Sequence, residues 1–225
     1  EKTADPVHQI HAKNRSRKEE KEIGGRKMSE VKDNIVYHGS RNGNIDFLKA
    51  HVSTHGKECI YATENKTVAM LFMGEGKGDL DTVLAVDDDK LILVERRAGV
   101  LEDNYNHEGY VYELPGDTFR HYDYLWKPEM ISFEKSIRPI RKTYYDNVLE
   151  ALENEEREGH LKIYHYPSRP SSIPFDNSDL IDKYIMFYNN GNSHAIDSLL
   201  ECYPEFREEV QSRVNGALGS ERRVK

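Results

Sequence analysis

The sequence is poor in cysteine and has no long apolar run. Only two cysteines, Cys59 and Cys202, occur in 225 residues, and they lie far apart without a close-spaced metal-ligand pattern. This favours two reduced thiols over a disulfide framework. No apolar stretch approaches the roughly 20 residues that a membrane-spanning helix needs, and the charged N-terminal residues lack the apolar segment of a signal peptide. We therefore expect a cytoplasmic protein without a membrane anchor or a metal site.

Positive charge is also in the minority. Lys and Arg number 32 against 40 Asp and Glu, which gives a formal net charge of −8 and a pI of about 5.7. This balance disfavours a surface built to hold a nucleic-acid backbone, although it leaves room for a local basic groove. The chain begins with Glu rather than Met, as expected of a processed or excised piece.

Aromatic residues, in contrast, are plentiful. The chain has 14 Tyr and 7 Phe, whereas disordered chains are poor in aromatics. Its length is sufficient to bury a core without disulfides or metals. The composition thus predicts a folded, polar protein.

Three regions differ in their patterning. The sequence predicts a polar leader or linker at 1–32, with a dense charged run at 13–22. It predicts a core at 33–141, which is rich in β-prone segments. Residues 142–225 are predicted to be a helical extension, interrupted by Pro167, Pro170 and Pro174. Alternating or short apolar runs predict strands at 35–40, 57–62, 80–86, 90–94, 109–114, 130–133 and 136–140. Apolar residues at helical spacing predict helices at 44–51, 66–73, 145–158, 179–188 and 194–214.

Three motifs lie in order on the predicted strands. They are Tyr37-His38-Gly39-Ser40-Arg41, then Glu58-Cys59-Ile60-Tyr61-Ala62-Thr63, then Pro128-Glu129-Met130-Ile131-Ser132 followed by Ile137-Arg138-Pro139-Ile140. This order resembles the poly(ADP-ribose) polymerase branch of the ADP-ribosyltransferase superfamily over residues 35–141. The resemblance implies an α+β fold with a split antiparallel β core, flanking helices and a helical C-terminal extension. It also maps the family's His-Tyr-Glu trio onto His38, Tyr61 and Glu129.

The resemblance further implies an activity. The expected reaction is transfer of one ADP-ribose from NAD to a macromolecular acceptor, protein or nucleic acid, with release of nicotinamide. The short core and the Tyr-Ala-Thr sequence, where polymerases have Tyr-Phe-Ala, favour a bacterial or phage mono-ADP-ribosyltransferase. A toxin or effector role would add a cognate inhibitor or antitoxin as a partner.

The chemistry of these side chains fits such a reaction. Gly39 would let its backbone approach the nicotinamide amide, His38 would donate a hydrogen bond to a ribose hydroxyl, and Tyr61 would stack on the ring with Phe72 as a second wall. The carboxylate of Glu129 would stabilise the positive charge that develops on the ribose.

Ser40 and Arg41 complete the predicted cofactor-binding set, where they would reach the ribose or the phosphates of NAD. Only Arg41 stands near the motifs, which disfavours a 2′-phosphotransferase acting on RNA, because that family uses several arginines.

Alternatives remain at this level. Glu113 and Glu108 flank the strand at 109–112 and are rival candidates for the catalytic glutamate. The domain could also be a degenerate module that binds NAD or a partner without turnover, or a transferase acting on a small molecule.

Overall fold

The computed structural model describes residues 34–52, 57–87 and 90–221, with side chains as far as Val214. The predicted leader, residues 1–32, lies outside this part of the chain. The described residues form a mixed α+β structure with several small, mainly antiparallel sheets and six α-helices, which confirms the expected fold class at this coarser level. No helix within these ranges has the length and apolar character needed to cross a bilayer.

The described residues contain eleven strands and six α-helices, besides two short 3-10 helices. The strands are β1 Ile35–Ser40, β2 Leu48–Lys49, β3 His51–Val52, β4 Glu58–Ala62, β5 Thr82–Asp87, β6 Lys90–Glu95, β7 Gly109–Pro115, β8 Met130–Ser132, β9 Ser136–Ile137, β10 Arg141–Tyr145 and β11 Leu161–Tyr164. The helices are α1 Lys66–Leu71, α2 Val100–Tyr105, α3 Val148–Arg157, α4 Asp179–Asn189, α5 Ala195–Cys202 and α6 Arg207–Glu221.

Strand β1 lies at the centre of the arrangement that carries the motifs. It pairs antiparallel with β7, with His38 opposite Tyr112, and β10 covers the other edge of β7. A second sheet has the order β3-β4-β8, and the two sheets meet at one antiparallel bridge between Tyr37 and Thr63. The apolar side chains of β1, β4, β7 and β8 share one core cluster, which includes Val36, Ile60 and Leu114.

Helix α1 packs across β1 from the other side. Asn65 caps it by accepting hydrogen bonds from the backbone N–H groups of Thr67 and Val68, which satisfies donors that the first turn leaves unpaired. Its apolar residues join a second core cluster with Leu93 of β6 and Leu152 of α3. This packing fixes the helix against the strand that carries His38.

Residues beyond the expected end of the core also contribute strands. The predicted core stops at residue 141, but β10 pairs with β7, and β11 pairs parallel with β6. Strand β10 lies at a sheet edge with mostly exposed side chains, so its sequence carries no apolar alternation that would mark it as a strand. Residues 142–225, predicted as a helical extension, thus contribute strands β10 and β11 as well as helices α3 to α6.

The predicted helix at 44–51 is wrong. The chain there forms β2, which pairs with β9, and β3, which pairs with β4. Helical spacing of Ile45, Leu48 and Val52 is a local signal, and non-local strand pairing overrides it.

The C-terminal helices are attached to the core through a buried arginine. The guanidinium of Arg96, which follows β6, is 3% exposed and donates to both carboxylate oxygens of Asp179, at 3.0 and 2.6 Å, and to Asn177 at 3.0 Å. Beside it, the hydroxyl of Tyr203 donates to the Leu80 carbonyl at 2.6 Å. The extension is therefore joined to the core by oriented polar contacts as well as by apolar packing.

Candidate active site

One cavity brings most of the predicted site residues together. It has a volume of about 250 Å³ and is lined by Tyr37, His38, Gly39, His51, Tyr61, Ala62, Phe72 and Glu129. Five of these are predicted site residues, and they come from β1, β4, the end of α1 and the segment before β8. Residues far apart in the sequence therefore converge on a single concave surface, as ligand sites typically require.

The cavity opens where two neighbouring strands separate. The N–H and C=O groups of Tyr37 both bond to Thr63, at 2.7 and 2.9 Å. Within the described ranges, pairing between β1 and β4 extends no further than this bridge. Because backbone polar groups alternate sides along an antiparallel strand, those of Gly39 point to the same side as those of Tyr37, into the split.

Gly39 is required there for a second, steric reason. A Cβ at this position would overlap the carbonyl oxygen of Ala69 in α1, and would lie 2.9 Å from the carbonyl carbon of Ala69 and 3.0 Å from Cγ of Met73. The sequence predicts a glycine here for the approach of a ligand, and the structure shows that the close approach of helix α1 requires it as well.

The ring of His38 bridges the split between β1 and β4. Its Nδ1 lies 2.8 Å from the backbone oxygen of Tyr61, and since a carbonyl only accepts, Nδ1 carries the proton. Burial lowers the pKa of His38 from its ordinary 6.5, outweighing the opposing effect of the Tyr61 carbonyl, and nearby His51 lowers it further. The neutral ring thus has Nε2 unprotonated, so this atom can accept a hydrogen bond, whereas the sequence predicted that His38 donates one.

Two aromatic residues that were predicted for the site also line the cavity. Tyr61 is partly buried on β4, and Phe72 at the end of α1 is 40% exposed. Phe72 is held edge-on by Trp126, with ring centroids 6.1 Å apart. Tyr61 and Phe72 both line the cavity, which is what stacking of a planar ring between them would need.

Glu129 comes from a turn that is fixed by its own side chain. Its Oε2 accepts from the backbone N–H of Trp126 at 3.1 Å, and its own N–H donates to the Trp126 carbonyl at 2.8 Å. The strand that follows is held by the bridge between Ile131 and Arg120. Glu129 therefore lines the cavity from a short turn that two hydrogen bonds hold.

The two rival glutamates lie elsewhere. Glu113 is buried on β7 and accepts two hydrogen bonds from the Arg141 guanidinium, at 2.7 and 2.8 Å. Glu108 precedes β7 and accepts from the hydroxyl of Tyr144 at 3.1 Å. Neither lines the cavity that contains His38.

Ser40 and Arg41 are outside this cavity as well. The hydroxyl of Ser40 accepts from the N–H of Asn42 at 3.1 Å, and exposed Arg41 pairs with Glu75 in the loop after α1. Among the cavity-lining residues of the described chain there is neither Lys nor Arg. If Arg41 binds a phosphate group of a ligand, that group lies outside this cavity.

Sequence reasoning missed two features of this region. His51, on the exposed two-residue strand β3, lines the same cavity. Tyr37 and Pro128 also line a second, larger cavity of about 660 Å³, whose charged residues include Lys66, Lys90 and Glu155. No local sequence pattern marks either feature, because both arise from strand pairing.

A group with metal-binding potential lies on this second cavity. Ligand atoms of Glu155, Glu158 and His160 lie within 4.8 Å of one another at the end of α3. His160 already bonds to Glu155 at 2.9 Å, and Glu158 and His160 are exposed. None of the three lines the cavity that contains His38.

In comparisons with known proteins, no family model, no curated protein and no solved structure matches the chain. The functional argument therefore rests on the residues and the geometry of the site.

Proposed function

We propose that this chain is an NAD-dependent mono-ADP-ribosyltransferase that moves ADP-ribose to a macromolecular acceptor, protein or nucleic acid, and releases nicotinamide. The observation that carries the proposal is the convergence of His38, Gly39, Tyr61, Phe72 and Glu129 on one cavity. The finer assignment of the fold to the ADP-ribosyltransferase type belongs to the same proposal.

The dimensions of the cavity support binding of one end of the cofactor. Sites that enclose a drug-sized ligand measure roughly 300–1,000 Å³, and about 250 Å³ is smaller than this range. The cavity would therefore take the nicotinamide ring and part of its ribose. The amide would bond to the backbone of Gly39, the ring would lie between Tyr61 and Phe72, and Nε2 of His38 would accept from a ribose hydroxyl.

The charge of Glu129 would then act on the reacting carbon. When nicotinamide leaves, the ribose becomes cationic, as in other glycosyl transfers. A carboxylate that lines a cavity partly shielded from solvent stabilises this cation more strongly than it would in water. The ground state gains less, so the interaction accelerates the chemical step rather than tightening binding.

Release of nicotinamide from NAD⁺ by the purified chain is the direct test. Glu129→Gln keeps size and shape but removes the charge, and should lower the rate on the order of 10²–10³-fold. Glu113→Gln and Glu108→Gln are matched controls outside the cavity and should retain most of the activity.

The outcomes separate the alternatives. Loss of turnover in Glu113→Gln or Glu108→Gln, with Glu129→Gln still active, would move the catalytic role to that residue. If the wild-type chain binds NAD⁺ but none of the three replacements changes nicotinamide release, the chain is a binding module instead.

A further inference from the structure

A second histidine lies in the cavity and has no role in the chemistry described so far. His51 of β3 is exposed, whereas His38 is partly buried and its Nδ1 is engaged by Tyr61. An acceptor enters the cavity from solvent, and His51 is the more exposed of the two described histidines that line it.

Strand pairing places this histidine on the same face of the sheet as Tyr61. His51 is paired with Cys59 across the β3–β4 ladder, so the two side chains lie on the same face. Tyr61 follows two residues after Cys59 and lies on that face too, which makes it the diagonal neighbour of His51, roughly 7–8 Å away between backbones. Tyr61 is paired with Ile131, and Glu129 precedes Ile131 by two residues.

The reaction requires a group that takes up a proton. A hydroxyl or amine acceptor loses a proton when its lone pair bonds to the ribose carbon, and neither NAD⁺ nor the departing nicotinamide needs that proton. Imidazole is the side chain best suited to accept a proton near neutral pH. Among the residues that the structure describes, the other ionisable groups that line the cavity are Tyr37, His38, Tyr61 and Glu129.

These other groups either have another role in the proposed complex or are weak bases. A tyrosine hydroxyl is normally a hydrogen-bond donor and a weak base. In the proposed complex, Nε2 of His38 is occupied by the ribose hydroxyl. The Glu129 carboxylate must stay negative opposite the ribose cation, and its Oε2 already accepts from Trp126.

We propose, on the basis of the proposed transferase function, that His51 is the general base that deprotonates the acceptor. The bond between the ribose carbon and the nicotinamide nitrogen breaks, and its electron pair neutralises the positive nitrogen of the leaving ring. A lone pair of the acceptor atom forms the new bond to the same carbon. The acceptor's proton passes to the imidazole of His51 and from there to solvent, so atoms and charge balance.

Two nucleophiles that differ in having a proton to lose provide the test. Water serves as the protonated acceptor, and azide, an anion at neutral pH, serves as an acceptor that needs no base. Nicotinamide release is measured for wild type, His51→Gln and His194→Gln, a matched exposed histidine at the start of α5. Mass spectrometry identifies ADP-ribose or ADP-ribosyl azide as the product.

We expect His51→Gln to lower kcat with water by about 10²–10⁴-fold and to leave KM for NAD⁺ unchanged. With azide, kcat of His51→Gln should stay within a few-fold of wild type. His194→Gln should match wild type with both nucleophiles. Equal losses of His51→Gln with water and azide, or no loss with either, would overturn the role of His51 while the transferase function stands. A wild-type chain that releases no nicotinamide with either nucleophile would instead overturn the proposed function, and this inference with it.

Discussion

The contact between β1 and α1 makes a sharp prediction for Gly39→Ala. The new methyl carbon would lie 2.9 Å from the Ala69 carbonyl carbon and 3.0 Å from Cγ of Met73, and closer still to the Ala69 oxygen. Carbon atoms pack at roughly 3.5–4.0 Å, so the helix and the strand must separate by at least about 0.5–1 Å. The carbonyl belongs to the backbone, and no side-chain rotation can relieve the overlap.

The expected loss follows from this displacement. Forcing extra volume into packed structure costs about 1–3 kcal/mol, which for a chain of this size corresponds to a fall in Tm of roughly 2–12 °C. Phe72 ends the displaced helix and Gly39 faces the cavity, so NAD⁺ affinity should fall as well. Thermal unfolding and calorimetric titration with NAD⁺ measure the two effects separately.

Gly78→Ala is the matched control for the stability effect. Gly78 has a φ of +59° and no atom within 4 Å of an added Cβ, so alanine there costs backbone strain without a clash. It should lower Tm by a comparable amount but leave NAD⁺ affinity unchanged. A Gly39→Ala chain with wild-type Tm and affinity would refute the close approach of α1 to β1.

Two further predictions concern His38 and Arg96. Because burial holds the pKa of His38 below 6.5, its contribution to stability is fully present above pH 6.5 and declines as pH falls toward the folded-state pKa. Affinity for NAD⁺ should decline as pH falls through that same pKa. Calorimetric titrations at several pH values should show that the affinity of His38→Asn does not depend on pH. An equally steep decline of affinity in that variant would assign the effect to another group. Asp179→Ala leaves the buried Arg96 guanidinium without its carboxylate and should lower the free energy of unfolding by roughly 2–4 kcal/mol. The control is Asp182→Ala, three residues later on α4, whose side chain is 81% exposed; it should lower this free energy by less than about 1 kcal/mol. Equal unfolding free energies for the two variants would contradict the importance of the buried pair.

Local patterns predicted the elements that carry the candidate site. Strands β1, β4 and β7 and helix α1 lie close to their predicted positions, because each has a strong apolar period and a turn or cap at its end. The grouping of His38, Tyr61 and Glu129 came from the order of motifs rather than from any local period. Their presence on one cavity is a geometric result that composition and spacing alone could not supply.

The elements and residues that the sequence did not predict have a common physical cause. Residues 44–52 form short strands because β9 and β4 offer backbone partners, and β10 is a strand because β7 does. His51 and Arg96 have no local signature, since a single histidine or arginine acquires its role only when distant residues surround it. The tautomer of His38 likewise depends on a carbonyl 23 residues away.

The pairing of β1 with β7 also has a consequence for how the chain reaches its native state. Ile35 is paired with Pro115 and Ser40 with Tyr110, so strand β1 pairs with a strand, β7, that is synthesised about 70 residues later. Contacts of such large sequence separation close long loops before they gain stability, and they slow folding. The segment after Tyr110 must therefore leave the ribosome before the strand that carries His38 has its neighbour, and Glu129 emerges later still. A nascent chain accordingly cannot complete its candidate site before the segment that carries Glu129 has left the ribosome.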